Sequence, residues 1–133
     1  MTGERVAAAA RAMLGVRFRA QGRGSAIEDG GGVDCVGLAA AALRAGGWAG
    51  EVPRGYALRG GSAAAVALLL DGELARGDGE HVGDLLLCAS GPGQLHLAIR
   101  VPGGIVHADA GLGRVVERPG AVPWPVLGAW RLR

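Results

Sequence analysis

The sequence contains no lysine, and its 14 basic residues are all arginine. That absence reads as the mark of a GC-rich genome and says nothing of mechanism. Aromatic residues are 4% of the chain, cysteine occurs twice and histidine three times. A core so poor in rings has to be built from Leu, Val, Ile and Ala, and close packing makes it sensitive to single-methyl changes. Two cysteines are too few for a disulfide framework and read as free thiols. No apolar run reaches the roughly 18 to 20 residues that span a bilayer, so no membrane partner is expected. The arginines are scattered among 12 acidic residues for a net charge of +2. Without a basic block to track phosphates, nucleic acid is excluded as the expected partner. The apolar stretch 6–14 is short and carries Arg11 in its middle, unlike a secretory signal, so synthesis in the cytoplasm is expected.

What is present is small and apolar. Glycine contributes 26 residues and alanine 25, yet hydrophobic residues are 50%, charged residues 20% and mean hydropathy is +0.28. Disordered linkers and coats run the other way. A length of 133 residues suits one domain, 1–133, around one core. Thr2 caps a first helix over 2–14, ended by Gly15. Residues 16–33 read as a loop holding the Gly30-Gly31-Gly32 run. Asp34 is placed to cap a second helix over 35–45, closed by Gly46 and Gly47. The stretch 48–61, with Pro53, reads as irregular, Ser62 caps a third helix over 62–70, and 71–83 is turn-rich. Short β-forming segments follow at 84–89, 95–101, 104–108, 114–118 and 126–132, with a hairpin turn at Pro102-Gly103-Gly104. Helices first and strands second indicate α+β, with the helices packed on a mostly antiparallel sheet of five or six strands.

Few side chains can do chemistry. Cys35 follows a helix cap, where backbone N–H groups and the helix dipole favour a thiolate and a developing oxyanion. It can equally be a small buried core residue. Cys88, inside Leu85-Leu86-Leu87-Cys88, reads as a core thiol. Strand alternation puts His96 on the face opposite Leu95 and Leu97, and His107 sits likewise on the next strand. Folding back near residue 102 sets the two histidines side by side, as a base and its orienting partner, as two partly exposed residues or as a metal pair. His81 reads as a solvated loop residue. No CxxC, HxxxH or HxH pattern exists, so no metal or other cofactor is expected.

Asp34-Cys35-Val36-Gly37-Leu38 at a helix start resembles the Asp-Cys-Ser-Gly-Leu signature of the NlpC/P60 cysteine peptidases. Gly83-Asp84-Leu85-Leu86-Leu87, His96-Leu97-Ala98-Ile99 and Gly104-Ile105-Val106-His107-Ala108 follow in the family's order, ahead of Val115-Val116-Glu117 and Gly128-Ala129-Trp130-Arg131. With Val after the cysteine, the sequence is most similar to the phage-type members encoded in tail clusters and gene-transfer particles. The resemblance implies a papain-like fold and hydrolysis of peptide-stem bonds of bacterial peptidoglycan, of the D-Glu–diamino acid type. It makes Cys35 the nucleophile, His96 the base and later acid, and His107 the residue that orients it. It implies tail or gene-transfer-particle proteins as partners, and delivery to the periplasm or wall by such a particle or by lysis.

Two departures bear on the substrate. Val36 stands where the family commonly has Ser, and Phe18 where it commonly has Tyr, so two hydroxyls are missing. Gln21 offers a polar contact nearby, and Asp34 is either an anchor for a substrate amine or the helix cap. These departures also motivate a reading in which the chain is a weakly active or inactive tail component of the same fold. A related thiol amidase or acyltransferase shares the same groups, and a zinc module on Cys35, His96 and His107 is a fourth reading.

Overall fold

The computed structural model describes residues 2–24, 31–52 and 57–133, so Gly30 and Pro53 lie outside the described residues. Along these the chain forms α1 (Thr2–Ala12), β1 (Arg23–Gly24), β2 (Gly32–Val33), α2 (Cys35–Ala45), α3 (Ala63–Glu73), β3 (Ala75–Arg76), β4 (Leu85–Gly91), β5 (Gln94–Val101), β6 (Gly104–Asp109), β7 (Arg114–Pro119) and β8 (Val126–Arg131). The class is α+β. One antiparallel sheet of six strands has the order β3-β8-β4-β5-β6-β7, and β1 pairs with β2 in a separate ribbon.

Asp34 and Ser62 cap helices as expected, whereas Thr2 is the first residue of α1 itself. The Asp34 carboxylate accepts the Gly37 N–H at 2.8 Å and so starts α2, while the Ser62 hydroxyl accepts the Ala65 N–H at 3.2 Å and starts α3. Two helix ends differ from expectation. α1 stops at Ala12 before the turn at Gly15, and α3 runs on through Asp71 to Glu73, where Leu74 N–H still reaches the Leu70 carbonyl. The segments read as loops also contain β1, β2 and β3, each of two residues. No alternation is legible over so short a span.

The sheet has two unlike faces. One, bearing Leu85, Leu87, Leu97, Ile99, Val106 and Ala108, packs against Val6 and Ala10 of α1 and Leu38, Ala39 and Ala42 of α2. The small side chains let α2 lie close to the strands. The other face, with Leu86, Cys88, Ala98, Ile105 and Ala129, is covered by Val122 and Trp124. The core is not purely aliphatic, because Trp130 is fully buried within it. Arg11 ties α1 to β7 through two 3.0 Å bonds to the Glu117 carboxylate. No described helix is long and apolar enough to cross a membrane.

One break in the sheet positions everything that follows. The β5–β6 register runs from Val101↔Gly104 to Ile99↔Val106. Below that level β5 stays with β4 as far as Gln94, and β6 stays with β7 as far as Asp109. The two halves part, and the N-terminus of α2 faces the opening.

Candidate active site

Alternate residues of an antiparallel strand direct their N–H groups to the same neighbour. On β5 this makes Leu97 and Leu95 face the opening that β6 has left. The Leu95 N–H is taken by the Leu58 carbonyl at 2.8 Å, and Gly60 N–H donates to the Gly93 carbonyl at 2.6 Å. Residues 58–60 therefore line the freed edge, with Arg59 bridged to Gln94. The Leu97 N–H is directed at the sulfur of Cys35.

Cys35 is the first residue of α2 and only 5% exposed. Burial pushes its thiol up to about 12; the Leu97 N–H pulls it down, the Asp34 carboxylate pushes it further up, and the N–H groups of Cys35 and Val36 pull it down. The helix N-terminus thus acts in the expected direction but does not give the expected thiolate. A helix end contributes at most about 2 kcal/mol, whereas stripping water from a charge costs several kcal/mol. Cys35 rests as a neutral thiol. Cys88 is the core thiol foreseen, fully buried and pushed up to about 11 by that burial.

His96 and His107 share the face of the sheet opposite α2. They are not directly opposite one another, as folding at residue 102 would have placed them. The loop holds only Pro102 and Gly103, so Val101 pairs with Gly104 and the register carried on sets His107 against Ala98. His96 lies two positions further and reaches across the diagonal, with Nε2 at 2.9 Å from His107 Nδ1. Parity is preserved by a shift of two, so the side chains still meet. Burial and the neighbouring His107 lower His96 to about 4 against the pull of Asp109. His107 is lowered by burial, helped by Arg118 and opposed by Asp109. Both rings are neutral at pH 7.

Asp34 is 7% exposed and has three partners. Besides capping α2 it accepts the Gln21 N–H at 3.0 Å and pairs with Arg23 at 3.3 Å. Gln21 is held at φ 60, the one positive-φ residue other than glycine among the described residues. Such a conformation is sustained only where its surroundings fix it, here by the carboxylate of Asp34. Three glycines bring this loop onto α2. A Cβ on Gly37 would collide with the Gly22 carbonyl, one on Gly22 with the Gly32 carbonyl, and one on Gly32 with the Arg17 carbonyl. The close approach at Gly32 is therefore to the chain's own backbone. Gly37→Ala is expected to destabilise the fold by about 1–3 kcal/mol through overpacking and to displace the Gln21 loop, which a denaturant titration and a spectrum of the Gln21 amide would register.

Phe18, Gln21, Asp34, Cys35, His96 and His107 all line one cavity of about 520 Å³, together with Arg59, Asp109 and Trp124. That is the size of a small-ligand site. The last three were not singled out from the sequence. Asp109 continues the alternation of His107 by two residues, and Trp124 stands between two prolines, so both had a legible signal. Arg59 had none, because its place depends on the long-range bridge to Gln94. His81 is exposed yet engaged: its Nδ1, Asp78 Oδ1 and Asp84 Oδ2 lie 3.0, 2.9 and 2.9 Å from Arg131 Nη2. These three are the grouping of metal-type ligands among the described residues, and the Arg131 guanidinium fills its centre. Cys35, His96 and His107 do not form such a group.

The sequence matches no family model and no curated protein. Solved structures do resemble it. NlpC1 from Trichomonas vaginalis aligns at 19% identity and a TM-score of 0.61, over 97% of this chain and 43% of that one. The peptidoglycan hydrolase RipB from Mycobacterium tuberculosis aligns at 23% and 0.61, over 98% and 64%. RipD from the same organism, a non-catalytic NlpC/p60 domain protein adapted to peptidoglycan binding, aligns at 19% and 0.62, over 100% and 98%. The chain thus spans less than two thirds of the length of the first two. At these identities the likeness speaks for architecture, and the architecture is plain: the chain has the fold of the NlpC/P60 domains.

Proposed function

We propose that the protein is a cysteine peptidase acting on the peptide stems of bacterial peptidoglycan, at the bond between D-Glu and the diamino acid. The observation that carries the reading is the convergence of Cys35 and the hydrogen-bonded His96–His107 pair on one cavity. RipB, a peptidoglycan hydrolase of the same fold, supports it. So does the lining, which offers a cation in Arg59 and a carboxylate in Asp109. Stem peptides carry both free carboxylates and free amines, and complementary charge fixes their register in a cleft.

In this reading His107 occupies His96 Nε2, which leaves Nδ1 as the nitrogen that takes the Cys35 proton. As that proton moves, sulfur bonds to the substrate carbonyl carbon and the negative charge develops on oxygen, toward the N–H groups at the start of α2. His96 then gives the proton to the leaving amine as the C–N bond breaks. A water, deprotonated by the same ring, attacks the thioester, and Cys35 recovers its proton as the acid departs.

A second reading, a wall-binding domain without turnover, is favoured by the neutral resting state of Cys35 and by the example of RipD. Purified peptidoglycan digested with the chain and with Cys35→Ala separates the two. The peptidase releases stem fragments whose masses place the new ends at the D-Glu–diamino acid bond, and Cys35→Ala releases none. Sedimentation with the wall but no fragments from either chain would establish the binding domain, and equal release from both would remove Cys35 from the chemistry.

A further inference from the structure

The connection between β7 and β8 carries Val122-Pro123-Trp124-Pro125, and its tryptophan lies over both histidines. The indole meets the His96 ring edge-on at 5.2 Å between centroids and 81°, and the His107 ring at 5.0 Å and 85°. The two imidazoles cross each other at 5.0 Å and 88°. Three rings thus stand mutually perpendicular, the arrangement that aromatic quadrupoles favour. We propose that Trp124 is a positioning residue whose indole holds His96 and His107 in the single crossing that sets Nε2 of one against Nδ1 of the other. This rests on the reading of that pair as the proton-handling groups.

The need for such a residue follows from the side chain itself. The second torsion of histidine is broad and two-fold, so one 2.9 Å contact between ring nitrogens persists only if ring rotation is blocked. Trp124 packs on the sheet face that holds Cys88, Ala98 and Ile105, and its ring contacts with both imidazoles restrict their rotation. Its own placement is rigid. Prolines at 123 and 125 fix their φ and restrict Val122 and Trp124 to extended backbone. The Pro125 carbonyl accepts the Ala89 N–H at 3.0 Å. Cys88 pairs with His96 on one side and with Val126 on the other, so arm and base are referenced to the same residue of β4. The charges acting on the pair are Asp109 and Arg118.

The test is a nitrogen-15 spectrum of the His96 and His107 rings. In the unaltered chain at pH 7 His96 and His107 each show one tautomer, with midpoints below the ordinary value of about 6.5. In Trp124→Ala both average between tautomers, and the midpoints rise toward about 6.5. Trp124→Phe, which keeps a ring, keeps single tautomers. On peptidoglycan fragments Trp124→Ala loses about 10- to 100-fold in kcat with KM little changed, and Trp124→Phe recovers most of it. Unchanged tautomers and midpoints in a folded Trp124→Ala chain would overturn the proposal, as would a loss confined to KM, which marks a substrate wall. If the alanine variant does not fold, Trp124→Leu gives the same spectroscopic reading. A chain that hydrolyses nothing still answers through the spectra, so failure of this inference is distinct from failure of the peptidase reading.

Discussion

His96→Ala is expected to lower kcat on stem peptides by about 10²- to 10⁴-fold, the contribution of a positioned general base, and Cys35→Ala to lower it further still, to the residual rate left by oxyanion stabilisation and binding alone. The pH behaviour should be unlike that of a preformed thiolate–imidazolium pair. Burial pushes Cys35 up to about 12 and lowers His96 to about 4, so both are neutral across the physiological range. Alkylation of Cys35 should therefore climb about tenfold per pH unit through pH 9, with no plateau in acid, because only the rare thiolate reacts. The base form of His96 exists above its own midpoint, so activity should persist as pH falls below 6.5 and be lost only on approach to about 4. Stability moves in the same direction. The unfolded ring takes up its proton near 6.5 and the folded ring resists until about 4, so stability declines as pH drops through that window. An alkylation plateau with an acidic midpoint, removed by His96→Ala, would show the ion pair instead and refute the neutral resting state.

Some of this site was legible in the sequence because the signal is local. An aspartate before an apolar run caps a helix whatever surrounds it, and so Asp34, and the position of Cys35 at the first turn of α2, followed directly. The shared face of His96 and His107 followed from alternation alone, which survives a register error of two. The register itself did not, because it depends on a loop of two residues at Pro102 and Gly103. The protonation of Cys35 did not either. A helix dipole is visible in the sequence, but the burial that outweighs it is made by Leu97 and the rest of a core assembled from distant segments. Arg59 reaches the cavity through a bridge to Gln94 across the chain, which no local pattern encodes. Trp124 lay between two readable signals, since the prolines on either side announced a rigid arm but not the surface it would cover.

Trp130→Ala is expected to cost about 3–5 kcal/mol of folding free energy, a large share of the roughly 5–15 kcal/mol that holds a domain together. Scarcity of rings is the reason. Trp130 is the fully buried aromatic among the described residues, within a core otherwise made of Leu, Val, Ile, Ala and Cys. It joins elements that have little else in common: Trp130 pairs with Arg76 of β3 and with Leu85 of β4, and its Nε1–H donates to Asp71 of α3 at 2.8 Å. The Arg76 guanidinium lies 4.6 Å above the ring centroid and also binds the Asp71 carboxylate, at 2.6 and 3.2 Å. Gly128 makes the room, since a Cβ there would press on the edge of the indole. Trp130→Phe keeps most of the volume and gives up the N–H bond to the Asp71 carboxylate, so its cost should be smaller than that of Trp130→Ala. Urea titrations of the three chains at pH 7 measure both differences. A loss below about 1 kcal/mol for Trp130→Ala would mean that the surrounding leucines close over the gap, and that α3 and β3 are held to the sheet by contacts other than this ring.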